Sequence, residues 1–170
     1  MKFLSDFRAL LTGVWLGAAC FFSFAVAPSA FAVLENRELA GSIVSRTLMI
    51  INLSGLVIGL ILLLSSFIKR EGLAPFFVWA ERFLLLLLTL ACAAGQFVIA
   101  LWISFVRAQI GKPIEEVAAD DPLKIQFNNL HQYSVWVLMG AMIAALLIFF
   151  LIGKNSGKNL VVEKKDEFKF

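Results

Sequence analysis

Charged residues are scarce in this sequence, and that scarcity excludes an ordinary soluble domain. Only 16% of the 170 residues are charged and 61% are hydrophobic, against about 25% and about 45–50% in typical soluble domains. The mean hydropathy is +0.89. A chain of this length has room for one domain of ordinary size. We therefore predict a single membrane-embedded domain, with no room beside it for a soluble enzyme domain.

Histidine and cysteine are also rare, which excludes most metal and disulfide chemistry. Cys20 and Cys92 lie inside apolar stretches, so we interpret them as small packing residues rather than as a disulfide. His131 is the single histidine, whereas a haem held by two histidines needs a second one. We predict no cofactor and no metal. His131 stays a candidate fifth ligand for a haem or pigment, or half of a site at a dimer interface; the plainer alternative is an interfacial hydrogen bond.

What the sequence does contain is four long apolar stretches. Each reaches the ~20 residues that an α-helix needs to cross about 30 Å of hydrocarbon. The expected fold is all-α, a four-span transmembrane helix bundle that forms one domain over residues 1–170. The predicted segments are spans at 9–34, 43–68, 83–106 and 130–152, an outer loop at 107–121 and a tail at 153–170.

The first stretch has a second interpretation, a cleaved signal peptide. Lys2 and Arg8 give it a positive start, and Ala30-Phe31-Ala32 resembles a cleavage site. However, the apolar run is longer than the about 7–15 residues of a signal peptide core. We therefore expect the first span to be retained.

Basic residues are distributed unequally between the two sides that four spans define. Ten of the 15 lysines and arginines fall on the side of the termini, and five on the other side. Because cytoplasmic segments carry the excess of positive charge, both termini are predicted to be cytoplasmic. The expected location is the cell membrane (the inner membrane of a bacterium), and the net charge of +3 requires no nucleic-acid partner. Glu81 and Arg82 are interpreted as the interfacial anchor of the third span, with Trp79 in the aromatic belt.

The loop at 107–121 is the only long one. Pro113 is suited to open a short helix, and Asp121 followed by Pro122 is typical of an N-cap and a first helical position. Four acids that could hold a divalent cation lie here: Glu115, Glu116, Asp120 and Asp121. A solvated acidic loop is favoured, because nothing fixes six oxygens around one point.

Each span also contains a pair of small residues four positions apart. These pairs are Gly13/Gly17, Gly55/Gly59, Ala91/Gly95 and Gly140/Ala144. Such pairs let helix backbones approach closely. We favour packing within the chain, and leave a dimer face as the alternative.

The polar residues of the spans are placed preferentially towards the predicted outer side. Ser23, Asn52, Gln96 and His131 come from four different spans and fall between mid-depth and the outer surface. Polar groups inside a membrane are costly and usually face the bundle interior or a wet cavity. One interpretation is hydrogen-bonded contact between helices. The other is a ligand-binding cleft formed by these four residues and open to the outside.

Two segments resemble a known family. The first comprises Trp15-x-Gly17 and the run FFSFAVAPSAFAVL at 21–34. The second is the pattern Asp-Pro-x-x-x-x-Phe-x-x-x-His-x-x-Ser at 121–134. They resemble small bacterial membrane proteins of uncharacterised function related to the animal transmembrane protein 205. The resemblance implies a four-helix membrane fold and no established activity.

Three classes of function follow from these observations. The first is a membrane protein whose outward-facing polar cleft binds or passes a small solute or lipid. The second is an accessory or assembly subunit, in a homodimer or a larger membrane complex, with a pigment or haem on the single histidine as a further option. An enzyme is not expected, because the sequence has no activated nucleophile and no metal-ligand spacing. The lipid bilayer is the one partner that every class shares.

Overall fold

In this computed structural model, residues 2–67 and 75–167 are described. Within them, four helical segments are long and apolar enough to cross a membrane, and we number them as spans 1 to 4. Their bounds are Phe3–Val33 for span 1, Arg37–Ser65 for span 2, Pro75–Ile110 for span 3 and Pro122–Lys154 for span 4. The predicted all-α bundle of four spans is confirmed. The start of span 1 and the end of span 4 lie at one end of the bundle, which we call the terminal end; the opposite end is the loop end.

The helices extend beyond the apolar stretches predicted from sequence. Span 1 is part of a helix from Lys2 to Val33 that includes a π-helical segment, and span 3 is built in the same way. The elements are Lys2–Phe21, Phe22–Val26 (π) and Ala27–Val33; Arg37–Ser65; Pro75–Ala94, Gly95–Ile99 (π) and Ala100–Ile110; Ile114–Glu116 (3₁₀); and Pro122–Glu167. The last helix thus continues into the predicted tail. Residue 68 of the predicted second span and residues 168–170 lie outside the described residues.

Local signals define the helix ends at the loop end. The Asn36 side chain accepts hydrogen bonds from the backbone N–H groups of Glu38 and Leu39, which caps span 2. Span 3 ends at Gly111, whose φ of 65° is the left-handed conformation that glycine adopts without strain. Asp121 accepts a bond of 2.8 Å from the Leu123 N–H. The predicted start of the last helix at Asp121 and Pro122 is therefore confirmed.

The spans pack as an antiparallel bundle. Span 4 lies against spans 1 and 3, and span 3 also packs along span 2. Residues from all four spans form one core, among them Trp15, Ala19, Ile51, Leu62, Leu85, Leu88, Ala141, Ala145 and Ile148. Many large apolar side chains on the other faces are exposed, as lipid-facing helices require.

Small residues allow close approach in the centre of the bundle. A Cβ atom added at Gly55 would lie 2.6 Å from both Trp15 Nε1 and Cys92 Sγ, and one at Gly59 would lie 2.5 Å from Thr89 Oγ1. In contrast, Gly17 and Gly140 have no such neighbour within 4 Å. Packing within the chain is therefore confirmed for the pair in span 2, while Gly17 and Gly140 face away from the bundle.

Two π-helical turns interrupt the spans. In span 1 the Ala27 N–H donates to the Phe22 carbonyl, one residue further back than in an α-helix. Pro28 follows directly; it has no N–H, and its ring would clash with the carbonyl four residues earlier in a regular helix. The wider turn relieves that clash. In span 3 the Ala100 N–H donates to Gly95 in the same way, with no proline nearby.

Candidate functional site

The four residues predicted to line an outer cleft occupy different environments. Asn52 is buried, Ser23 and Gln96 are half-buried, and His131 is exposed. Ser23 donates a hydrogen bond of 2.8 Å to the Ala19 carbonyl of its own helix. The structure therefore does not gather all four into one cavity wall. It brings the side chain of Asn52 close to Gly95, the residue that precedes Gln96.

Asn52 of span 2 lies against Gly95 of span 3, the residue before Gln96. The Nδ2 atom of Asn52 lies 3.1 Å from the position that a Cβ on Gly95 would take, so a larger residue there would require this amide to shift by a few tenths of an ångström. Gln96 follows Gly95 within the π-helical turn. Such turns are frequent at functional sites. We call Asn52, Gly95 and Gln96 the amide site.

The hydrogen-bonding capacity of the amide site is largely unused. Gln96 Oε1 is buried and accepts no hydrogen bond. Within the described part of the chain, the Asn52 side chain makes none either, although only 5% of the residue is exposed. Buried polar groups usually have partners, because an unpaired one costs about 1–3 kcal/mol. The arrangement suits a ligand or water that donates to Gln96 and exchanges hydrogen bonds with Asn52.

A second polar cluster lies near the terminal end. Arg8 of span 1 and Glu81 of span 3 form an ion pair of 2.6 Å, and their side chains are 1% and 2% exposed. The same Arg8 nitrogen, Nη2, donates to the Leu62 carbonyl of span 2 at 3.2 Å. One buried guanidinium thus joins three spans.

Arg82 reinforces the end of span 2 beside this pair. Its Nη2 donates to the Ser66 carbonyl at 2.9 Å, and its guanidinium carbon lies 4.6 Å from the centre of the Phe67 ring. Ser66 follows Leu62 by one helical turn. Two arginines therefore contact carbonyls in the last turn of span 2, where the negative end of the helix dipole favours cations.

This cluster was not predicted from the sequence, in which Glu81 and Arg82 were interpreted together as the interfacial anchor of the third span. The structure adds the partner of Glu81, which points into the bundle and pairs with Arg8. Local charge rules assign such residues to the interface because they ignore partners distant in sequence. One signal could have revealed the pair: Arg8 and Glu81 have opposite charges and lie near the starts of the first and third apolar stretches, which run in the same direction in a four-span bundle.

The loop end carries an open cavity of about 610 Å³. It lies between the start of span 2 and the 3₁₀ turn that follows Pro113, which is the short helix that the sequence predicted. Its lining residues are Glu35, Asn36, Arg37, Glu38, Pro113, Glu115 and Glu116. Arg107 pairs with Glu38 at 3.2 Å on this partly exposed surface. In the described ranges, no group of three or more His, Cys, Asp or Glu residues is arranged to hold a metal ion.

Comparison with known proteins identifies the family and no activity. No curated protein and no solved structure matches the chain. The model of a family described as a domain of unknown function, DUF4149, matches residues 10–112. Nothing in these comparisons connects the chain to transmembrane protein 205, so only the uncharacterised family is supported. Because the match covers more than half of the 170 residues and includes all three residues of the amide site, the chain belongs to the DUF4149 family.

Proposed function

We propose that this multi-pass membrane protein binds a small polar solute or a lipid headgroup at the amide site. The observation that supports the proposal best is the buried Gln96 Oε1, an acceptor without a donor, one residue along the chain from Gly95, against which the Asn52 amide lies. Inside a bilayer no bulk water satisfies such groups. A ligand that brings a hydroxyl or ammonium donor would remove that cost.

The simpler interpretation is that the Asn52 and Gln96 side chains join helices, but the hydrogen bond between spans next to them uses neither amide: it runs 3.0 Å from Trp15 Nε1 to the Ile51 carbonyl. Polar residues that hold helices together do so by bonding across the helix interface. Among the described residues, Gln96 Oε1 accepts no such bond and the Asn52 amide makes none. Their contribution to helix association through hydrogen bonds is therefore expected to be small.

The packing around the site favours binding over passage. Between the amide site and the terminal end, the core contains Leu62, Leu85 and Leu88, each no more than 1% exposed. The ion pair of Arg8 and Glu81 then joins spans 1 and 3. A solute that reached the amide site would meet this closed core, so retention of the ligand is the expected behaviour.

Replacing the two amides tests the proposal. The full-length protein would be purified in mild detergent, and its co-purified small molecules identified by mass spectrometry. Asn52→Leu and Gln96→Leu should each lose the bound molecule while thermal stability stays equal or rises. Gln132→Leu, which changes an exposed amide in span 4, is the matched control and should change neither quantity. If both amide variants instead lose about 0.6–2 kcal/mol of stability with unchanged ligand content, the residues act as contacts between helices.

A subunit function is the second candidate, and the outward-facing Gly17 and Gly140 support it. Neither has a neighbour that a Cβ would meet within 4 Å, so either could receive a helix from a second copy or another membrane protein. Gly17→Leu and Gly140→Leu should then reduce the assembled fraction in native mass spectrometry, with Gly17→Ala and Gly140→Ala, which keep the residue small, as the controls. His131 is exposed, and its alternative role as a haem or pigment ligand is tested by the visible absorption of the purified protein.

A further inference from the structure

Three guanidinium nitrogens near the terminal end have no hydrogen-bond acceptor. They are Nε and Nη1 of Arg8 and Nε of Arg82, and all three are buried. Arg8 uses Nη2 for both of its bonds, to Glu81 and to the Leu62 carbonyl. Arginine carries five N–H donors and no acceptor, so these donors can be satisfied only by oxygens from outside the described contacts.

The net positive charge of this cluster favours an anion as the group that supplies those acceptor oxygens. Among the described residues at this end, the guanidiniums of Arg8 and Arg82 are accompanied by two carboxylates, the buried Glu81 and the exposed Asp6. Lys154 adds a further positive charge at the same end, with its Nζ 5.3 Å from the centre of the Phe77 ring. A water molecule would satisfy donors but leave the excess charge, whereas an anion would do both.

We infer that the terminal end of the bundle holds a phosphate-type oxyanion between Arg8 and Arg82. Arginine suits this chemistry because its planar group matches the oxygens of a phosphate. The two arginines contact the carbonyls of Leu62 and Ser66, four residues apart or a rise of about 6 Å, so one group with several oxygens can reach both. Since the nitrogens are covered by neighbouring side chains, binding requires these to move, and a saturable site is expected rather than diffuse attraction.

The phosphate could come from an anionic phospholipid or from free phosphate. The surroundings favour the lipid: Trp79 and Phe83 lie on the same helix as Arg82, are 66% and 52% exposed, and stack with centroids 5.7 Å apart. Aromatic side chains of this kind sit at the headgroup level. Basic pockets between spans are known to bind anionic headgroups.

Binding to the full-length protein in a zwitterionic detergent tests the inference. The probes are phosphatidylglycerol, phosphatidylcholine and inorganic phosphate, and the measurement is the rise in melting temperature as each is added. Arg82→Gln removes one guanidinium and leaves the ion pair of Arg8 and Glu81 intact. Arg107→Gln, at the loop end, makes the same change of charge and is the control.

Saturable binding of phosphatidylglycerol that is about tenfold or more weaker in Arg82→Gln, and unchanged in Arg107→Gln, would support the site. Arg8→Met combined with Glu81→Leu should weaken binding similarly; if this double variant does not fold, Arg82→Gln alone decides. If inorganic phosphate competes with the lipid, the phosphate group itself is the ligand. If phosphatidylglycerol binds and inorganic phosphate does not, the ligand is the lipid headgroup. Equal loss in Arg107→Gln, equal affinity for phosphatidylcholine, or no binding of either anion would overturn the inference.

Discussion

Replacing Glu81 with leucine leaves the Arg8 guanidinium buried without its carboxylate. Arg8 is 1% exposed, and among the described residues it makes one other hydrogen bond, to the Leu62 carbonyl. Removing one partner of a buried pair typically costs about 3–5 kcal/mol, because the remaining charge stays desolvated. Glu81→Leu should therefore lower the free energy of unfolding by about this amount.

The double variant Arg8→Met/Glu81→Leu separates the charge effect from packing. Apolar replacement of both partners is often neutral or stabilising, and the Leu62 carbonyl keeps its bond of 3.0 Å from the Ser66 N–H. The double variant should thus recover most of the stability that Glu81→Leu loses. The assay is reversible unfolding in detergent micelles for the wild type, both single variants and the double variant.

The pair of Arg107 and Glu38 provides the comparison. Its side chains are 35% and 52% exposed, so solvent screening should limit its coupling energy to less than about 1 kcal/mol. If the coupling between Arg8 and Glu81 is no larger than that between Arg107 and Glu38, the buried environment assigned to Arg8 is wrong.

Three further predictions concern packing, orientation and processing. Gly55→Ala should destabilise the protein by about 1–3 kcal/mol, since its Cβ would overlap Trp15 and Cys92; Gly140→Ala, with open space, should be close to neutral, and equal effects in thermal unfolding would contradict the packing. A C-terminal reporter should be active on the cytoplasmic side, because basic residues divide ten to five; activity only on the outer side would reverse the orientation. Intact mass of the purified protein should include the residues before Phe31, whereas a mature chain that begins at Val33 would identify a signal peptide.

The fold could be predicted from the sequence because its signals are local. Length and hydropathy indicate each span, and the neighbouring residues Asp121 and Pro122 indicate the start of the last helix. The helix ends were less predictable, since backbone hydrogen bonding continues past the last apolar residue until a cap such as Asn36 or Gly111 ends it. The π-helical turn at Gly95–Ile99 had no local signal.

The level of the candidate site residues along the spans could be predicted from the sequence, but the helix face that carries each side chain could not. Counting residues from the span ends places Asn52 and Gln96 at similar levels, and the structure brings them to the same helix crossing. The same count also places His131 near the outer side, but it says nothing about which face of the helix carries it, and that face is exposed. Arg8 and Glu81 were missed because their pairing spans 73 positions, and no local rule reaches that far.

The two ends of the bundle differ in how firmly their helices are joined. At the terminal end, an ion pair and two arginine-to-carbonyl bonds fix spans 1, 2 and 3 together. Towards the loop end, spans 1 and 3 each contain a π-helical turn, Gln96 Oε1 lacks a donor, and the ion pair of Arg107 and Glu38 that joins spans 2 and 3 is partly exposed. Such turns can shift by one residue without breaking the helix, and unpaired groups gain free energy when a partner arrives. Any rearrangement that admits a ligand to the amide site is therefore expected in the half of the bundle near the loop end, with the terminal end as its fixed base.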